Sequence, residues 1–153
     1  MKKVILALTI FTAVFTACKK NNDNNTSSVN TTAVNSTVAS GTWRITLFND
    51  NGTDKTANFN GFNFTFASGG SLLAANGILS ITGTWSTRVD DSKVKLTITF
   101  PGPSMSAFLD LNEDWEVTGR TDTQVTMRHI SGGGGGTDFF NYSKKLVLSK
   151  INF

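Results

Sequence analysis

Short runs of alternating apolar and polar residues, separated by turn residues, restrict the fold of this chain more than any other feature. In "TWRITLF" the residues Trp43, Ile45 and Leu47 fall on one side of an extended backbone. A period of two is typical of strands that bury one face. The stretches between the runs contain Gly, Asn or Asp, which accept the positive φ angles of tight hairpins. The pattern therefore predicts an all-β fold built from hairpins.

About eight strands in meander order are predicted from Thr42 onward. An antiparallel meander of this size can close into a barrel, which removes exposed edges and leaves an interior for side chains or one small ligand. We therefore expect a single antiparallel barrel of about eight strands, with a short helical turn within residues 106–111. The expected strands are "TWRITLF", "FNFTF", "SLLAA", "ILSITGTW", "VKLTITF", "WEVTG", "QVTMRHI" and part of "FFNYSKKLVLSKINF".

The N-terminal segment has the order of a secretory signal peptide. Lys2 and Lys3 are followed by twelve uncharged residues, 4–15, and then by small residues. Twelve helical residues span about 18 Å, which is less than the ~30 Å of a bilayer core. Residues 1–17 are therefore predicted to be a signal peptide and not a spanning helix.

Residues 19–40 are rich in Asn, Thr and Ser and contain no aromatic residue. Such a stretch buries too little apolar surface to offset the entropy lost on ordering. We therefore expect residues 18–40 to form a flexible tether. The remaining 113 residues, 41–153, suit one folded domain.

The charge of the chain argues against nucleic acid as a partner. The full sequence has 14 basic and 11 acidic residues. Loss of Lys2 and Lys3 with the signal peptide would leave the two signs nearly equal. No basic stripe is visible in the sequence of the domain.

The residues that could carry catalysis are few. His129 is the single histidine and is predicted to lie on the inward face of its strand, near the strand end. Cys18 is the single cysteine, so a transition-metal site of the usual composition is not expected. "SGGGGG" at 131–136 lacks the Lys-Ser/Thr that follows a phosphate-binding loop, and it is interpreted as a surface loop.

Four carboxylates cluster in "DLNEDWE". Two carboxylates at a suitable separation can hydrolyse glycosides. The sequence shows no substrate cleft, so we interpret the cluster as a solvated turn and an outward strand position. We predict that the protein is not an enzyme and that it has no cofactor. The four residues are Asp110, Glu113, Asp114 and Glu116.

The string "FTAC" at 15–18 resembles the lipobox of bacterial lipoproteins. The resemblance implies that Cys18 becomes the first residue of the mature chain and carries acyl groups, which would explain the lone cysteine. Two or more acyl chains anchor a protein stably to a membrane. Lys19 and the absence of an early acidic run imply, by the same resemblance, the outer membrane and a periplasm-facing position.

"GTW" at 41–43 is similar to the Gly-x-Trp signature that opens the lipocalin barrel. With a second "GTW" at 83–85, "LNEDWEV" and "SGGGGGTDFF", the layout resembles the small lipocalin-like lipoproteins of Bacteroidetes. The resemblance covers Gly41 to about Leu148 and implies that Trp43 closes the base of the barrel.

Two functions follow from these observations. The first is a lipid-anchored cell-envelope module that binds a small apolar ligand in its interior. The alternative is a protein-interaction or inhibitor domain that acts through "PGPSM" and "SGGGGG", around a fully packed barrel. For the first function, the candidate ligand-binding residues are Trp43, Phe64, Phe66, Trp85 and Leu96.

Overall fold

Nine strands follow one another in a single antiparallel sheet in the computed structural model of this chain. The structure describes residues 30–102, 105–131 and 142–151. The strands are β1 (Thr42–Asp50), β2 (Thr53–Asp54), β3 (Asn63–Phe66), β4 (Ser71–Ala75), β5 (Ser80–Asp90), β6 (Lys93–Thr99), β7 (Asp114–Arg120), β8 (Gln124–Ser131) and β9 (Tyr142–Lys150).

Strand β1 closes the sheet into a barrel because it pairs with β3 on one side and with β9 on the other. The closing pair with β9 runs from Trp43 opposite Lys150 to Asp50 opposite Lys144, with one bulge between Ile45 and Leu47. Strand β2 pairs only with the end of β1 and lies outside the ring of eight. The predicted eight-stranded meander barrel is therefore confirmed.

The short hairpins use residues whose backbones accept positive φ angles. Asp91 and Ser92 join β5 to β6 with φ angles of 48° and 60°, and Asn51 and Gly52 join β1 to β2 with 49° and 87°. Positive φ at both central residues gives the turn twist that matches two flanking strands. The "DDS" and "NDNG" stretches are turns, as predicted.

Gly83 permits a close approach between β5 and the end of β6. A Cβ atom at this position would lie 2.5 Å from the carbonyl oxygen of Thr99 and 2.8 Å from the ring of Phe100. Real Cβ atoms do not approach other atoms so closely. The glycine of the second "GTW" therefore makes room for the Phe100 ring inside the barrel.

Helix α1 (Thr31–Val38) lies where the sequence predicts a flexible tether, so that prediction is wrong for these residues. The side chain of Asn30 accepts a 2.7 Å hydrogen bond from the backbone N–H of Ala33 and caps the helix. Val34 and Val38, four residues apart, are both fully buried against the barrel. The two valines on one helical face pack on the core, and Arg120 and Thr87 of the barrel add hydrogen bonds to the side chains of Thr37 and Asn35. Residues 18–29 of the predicted tether lie outside the described residues.

Two short helices lie near the opposite end of the barrel. A 3₁₀ helix (Thr56–Phe59) follows β2, and helix α2 (Ser106–Leu109) lies between β6 and β7. Helix α2 confirms the predicted helical turn, whereas the 3₁₀ helix was not predicted. Of the two loops in the interaction hypothesis, residues 103–104 and 132–136 lie outside the described part of the chain.

The barrel has two different ends because neighbouring strands alternate in direction. We call one the loop end, which carries the connections 51–62, 76–79 and 100–113. We call the other the α1 end, which carries α1 and the short connections 67–70, 91–92 and 121–123.

Candidate functional site at the loop end

The predicted ligand-binding residues all point into the barrel. Each is at most 7% exposed and belongs to the continuous hydrophobic core. Phe66 and Trp85 contact each other edge to face, with ring centroids 5.6 Å apart. The inward direction read from the alternation is therefore correct, and ligand binding by these residues stays a prediction. The five residues are Trp43, Phe64, Phe66, Trp85 and Leu96.

The three tryptophans donate their indole N–H groups to main-chain carbonyls. Trp43 donates to Val38 at 2.8 Å, at the α1 end. Trp115 donates to Leu111 at 3.0 Å, at the loop end. Within the described residues, no buried side-chain nitrogen or oxygen lacks a hydrogen-bond partner. Tryptophan can therefore fill the interior without leaving a polar group unsatisfied.

Phe108 of α2 occupies the mouth of the barrel at the loop end and is fully buried. Its ring centroid lies 4.9 Å from that of Phe62, 5.1 Å from Phe100, 5.6 Å from Phe59 and 6.0 Å from Phe64. Three of these pairs are edge to face, and such pairs add about 0.5–1.5 kcal/mol each beyond the area that they bury. Aromatic side chains thus fill the region where an interior ligand would enter.

Asn112 fixes the segment that carries Phe108. Its amide accepts a 2.6 Å hydrogen bond from the backbone N–H of Phe100 and donates a 2.8 Å bond to the carbonyl of the same residue. The start and the end of the connection between β6 and β7 are thereby joined. The mouth of the barrel is held by polar contacts as well as by ring packing.

Lys55 joins two carboxylates at the loop end. Its ammonium lies 2.5 Å from Asp50 at the end of β1 and 3.0 Å from Asp110 after α2. Hydrogen bonds to Asp50 first and to Asp110 second raise the pKa of Lys55 above its ordinary range. The lysine therefore stays charged at neutral pH and ties the end of β1 to α2.

His129 is partly buried near the end of β8, as the alternation predicted. Its Nε2 lies 3.3 Å from a carboxylate oxygen of Glu113, and its Nδ1 lies 3.3 Å from the carbonyl oxygen of Asp114. The ring also packs edge to face on Trp115, with centroids 6.4 Å apart. These contacts place His129 among partners that fix its ring.

The remaining carboxylates of the acidic cluster lie on the outer wall of the barrel. Asp114 accepts hydrogen bonds from Arg88 at 2.7 Å and from Thr97 at 2.9 Å. Burial acts to raise the pKa of Asp114, but these hydrogen bonds outweigh burial and lower it.

Glu116 lies between two cations on the same wall. Arg128 is 2.9 Å and Lys93 is 3.2 Å from its carboxylate oxygens. Here too burial acts to raise the pKa, and the hydrogen bonds from Arg128 and Lys93 lower it overall. Each of the four clustered carboxylates thus has a different set of basic neighbours.

Large apolar side chains are exposed at the loop end. Ile78 is 92% exposed at the tip of the β4–β5 hairpin, and Leu79 beside it is 46% exposed. Met105 and Leu109, on and beside α2, are 45% and 41% exposed. Ile78 and Leu79 were expected at the start of a strand, so this surface was not predicted, although the preceding "ANG" marks the turn.

The hairpin tip that presents Ile78 is ordered by its own hydrogen bonds. The side-chain oxygen of Asn76 accepts from the backbone N–H of Ile78 at 3.0 Å and of Leu79 at 2.8 Å. Gly77 has a φ angle of 87°, which glycine adopts without strain. An apolar side chain on a fixed turn loses little entropy on binding, which favours a contact role. We call Ile78, Leu79, Met105 and Leu109 the apolar loop patch.

The fold is thus a closed eight-stranded antiparallel barrel with an aromatic interior and exposed apolar side chains at one end. Among solved structures, the chain is similar to a DUF4847 family protein from Bacteroides vulgatus ATCC 8482, with 20% sequence identity and a TM-score of 0.48. The similarity covers 78% of this chain and 99% of that chain. No protein-family model matches the chain, and no curated protein matches it.

The described residues contain neither a membrane-spanning helix nor a cluster of metal ligands. No helix among them is long and apolar enough to cross a membrane. No three histidine, cysteine or acidic side chains of these same segments come together in a way that could hold a metal ion.

Proposed function

We propose that this protein is a lipid-anchored binding module of the cell envelope whose apolar loop patch contacts a partner protein. The observation that carries the proposal is the position of Ile78, which is almost fully exposed on a turn ordered by Asn76. Large apolar side chains exposed at the same end of a fold favour a protein contact site there. Loops placed by a rigid scaffold often carry binding.

The packed mouth of the barrel favours a protein partner over a small interior ligand. A ligand between Trp43 and Phe64 would have to displace Phe108 from its contacts with four other rings. The small-ligand function therefore needs an opening of α2. Saturable binding of an apolar probe that changes tryptophan fluorescence in the wild-type chain would support that second function instead.

The proposed anchor would leave the loop end free. Cys18 to Val29 are twelve residues that precede α1, and an extended chain of this length reaches about 40 Å. They join the barrel at the α1 end, which is opposite the apolar loop patch. An anchor at Cys18 would thus keep the α1 end within about 40 Å of the membrane and leave the loop end on the opposite side of the barrel.

Site-specific photo-crosslinking in cells tests the binding surface. A benzoyl-phenylalanine probe replaces Ile78 in one variant and Val89 in the other. Val89 is 62% exposed but lies at the α1 end. We expect one discrete protein adduct from the probe at position 78 and none from the probe at 89. Absence of an adduct at 78, or the same adduct from both positions, would contradict the proposal.

Fractionation tests the anchor separately. Cys18→Ala removes the single sulfur to which a lipid could be attached. We expect the variant to leave the membrane fraction, whereas Ser27→Ala in the same segment should remain there. Unchanged membrane association of Cys18→Ala would end the lipid-anchor part of the proposal and leave the loop contact to be judged by crosslinking.

A further inference from the structure

Strand register gathers basic residues that are far apart in the sequence. Arg88 of β5 lies opposite Lys95 of β6, and Lys95 lies opposite Glu116 of β7. Glu116 lies opposite Arg128 of β8, and Arg128 lies opposite Lys145 of β9. The barrel therefore carries one continuous charged row across five neighbouring strands. We call these five residues the basic row.

The basic row faces outward along its whole length. Burial alternates along each of these strands, and the inward neighbours of the row include the buried Leu96, Trp115 and Met127. Side chains directly opposite each other on one face of a sheet have Cβ atoms about 5 Å apart. Four cations and one carboxylate thus form a line on the outer wall.

Nearby carboxylates leave a surplus of positive charge. Arg88 pairs with Asp114 and Asp90 beside the row, and Glu116 is shared by Arg128 and Lys93. The row and these neighbours together hold five cations and three carboxylates.

Two lysines of the row are available for a ligand. The ammonium groups of Lys95 and Lys145 form no hydrogen bond or ion pair with any other residue in the described parts of the chain, although Lys95 lies close enough to Asp114 to help lower the pKa of that carboxyl group. Such strongly hydrated, flexible cations can reach an anionic partner without first breaking a direct hydrogen bond or ion pair of the ammonium group.

A surface hollow adjoins one of these lysines. Lys145 and Arg128 line it together with Thr126 and the half-exposed Ile130. The hollow lies beside the bulge in β7 between Val117 and Gly119. Its two cations and hydroxyl could accommodate one anionic group and its flanking carbon atoms.

We propose that the basic row binds a flexible linear polyanion, an acidic polysaccharide that carries carboxylate or sulfate groups. The row crosses five of the eight strands of a closed barrel, which is four of the eight spacings between neighbouring strands, so it follows the curved wall over at most about half of the circumference. A flat membrane surface can contact only a part of such a row, whereas a flexible chain can follow it. This inference does not depend on the apolar loop patch or on Cys18.

Nucleic acids fit the same surface less well. Duplex DNA is straight over about 150 base pairs and would not follow so tight a curve without a large bending energy. Single strands are bound largely by stacking on aromatic side chains. The exposed large hydrophobic side chains of the described residues are aliphatic or Met, with no aromatic among them.

The test measures binding of the full chain, purified in detergent, to heparin and to polygalacturonate at several salt concentrations. The variant Lys95→Gln/Lys145→Gln removes the two cations of the row whose ammonium groups form no ion pair with a described residue. The control Arg44→Gln/Lys150→Gln removes the same amount of charge from β1 and β9. On β9, Lys150 is five residues beyond Lys145 of the row, a distance of roughly 16 Å along the strand. Uncharged dextran serves as the negative ligand.

We expect wild type and control to bind both acidic polysaccharides and not dextran. The affinity of the row variant should fall roughly tenfold at low salt, and the slope of log K against log salt should fall by about 2, one for each lysine. Equal loss in both variants would show attraction by net charge alone and overturn the assignment to the row.

Two further arms separate the other polyanions. Tighter binding of oligo-dT than of either polysaccharide, with the same loss in the row variant, would contradict the choice of a polysaccharide. A second result would also contradict this choice. In that result the wild-type chain binds neither polysaccharide but prefers anionic to neutral lipid vesicles, and the row variant loses that preference.

Discussion

The α1 end and the loop end of the barrel are closed by different means. At the α1 end, an uncharged helix buries Val34 and Val38, and a single indole hydrogen bond from Trp43 reaches the helix carbonyl. At the loop end, Phe108 packs among four aromatic rings, and Lys55 links two carboxylates. The first closure combines two aliphatic side chains with hydrogen bonds from Arg120 and Thr87 to the neutral helix, whereas the second is aromatic and ionic.

The two ends also differ in how many large apolar side chains they expose to solvent. Short turns and a capped helix at the α1 end leave few apolar groups in solvent. The loop end combines the buried ring of Phe108, packed among four other aromatic rings, with the exposed Ile78 and Leu79. A firmly packed base under exposed apolar side chains is the arrangement expected of a surface that binds another protein.

The largest expected effect on the free energy of unfolding comes from removing the Phe108 ring. Phe108→Ala should lower the free energy of unfolding by about 3–5 kcal/mol, because it removes a fully buried ring and leaves a cavity. Urea denaturation measures the change. Leu109→Ala, the next residue on the same helix but 41% exposed, is the matched control and should cost less than about 1 kcal/mol. A loss below 1 kcal/mol in Phe108→Ala would contradict the closure of the loop end by this ring.

The second effect concerns the α1 end. Val38→Ala should lower the free energy of unfolding by about 2 kcal/mol, since two fully buried carbon atoms are lost. Ser36→Ala, on the exposed face of the same helix, should change it by no more than about 0.5 kcal/mol. Equal effects of the two substitutions would mean that α1 does not pack on the barrel in solution.

The smallest effect is a pH dependence on the outer wall. The pKa of Glu116 is lower in the folded chain, so the unfolded chain takes up protons first as the pH falls. The stabilisation is therefore present above about pH 4.3 and is lost progressively below it. At pH 7, Glu116→Gln should cost about 0.5–1 kcal/mol.

Denaturation at pH 7 and at pH 2 checks the sign of this effect. The difference between Glu116→Gln and wild type should vanish at pH 2, where both side chains are uncharged. Asp122→Asn is the control, because Asp122 is exposed and forms no ion pair with another described residue. A Glu116→Gln deficit that persists at pH 2 would show that packing, and not charge, is responsible.

The strands and their order could be predicted because the barrel is a meander, in which each strand pairs with the next along the chain. Period-two alternation then gave both the strands and the inward direction of Trp43 and Phe64. Helix α1 was missed because its Asn, Ser and Thr residues resemble a solvated linker. Only Val34, Val38 and the cap at Asn30 indicate a helix in the sequence. Whether so short a helix forms depends on tertiary packing, which the sequence does not show directly.

The candidate sites were less predictable because they depend on contacts between distant residues. The place of Phe108 follows from how the connection between β6 and β7 folds over the mouth, and no local pattern encodes this. Arg88 and Lys145 are 57 positions apart, and only strand register places them in one row. The basic row is consequently not visible as a stripe in the sequence.

Hydrogen exchange of the indole N–H groups tests most directly whether both ends are closed. The chain has three tryptophans, and those of Trp43 and Trp115 report on the α1 end and the loop end respectively. We predict that both indole N–H groups exchange only through global unfolding. Val38→Ala should raise the exchange rate of Trp43 more than that of Trp115, and Phe108→Ala should raise that of Trp115 more than that of Trp43. Exchange of either indole within minutes in the wild-type chain at neutral pH would show an open interior and contradict the account.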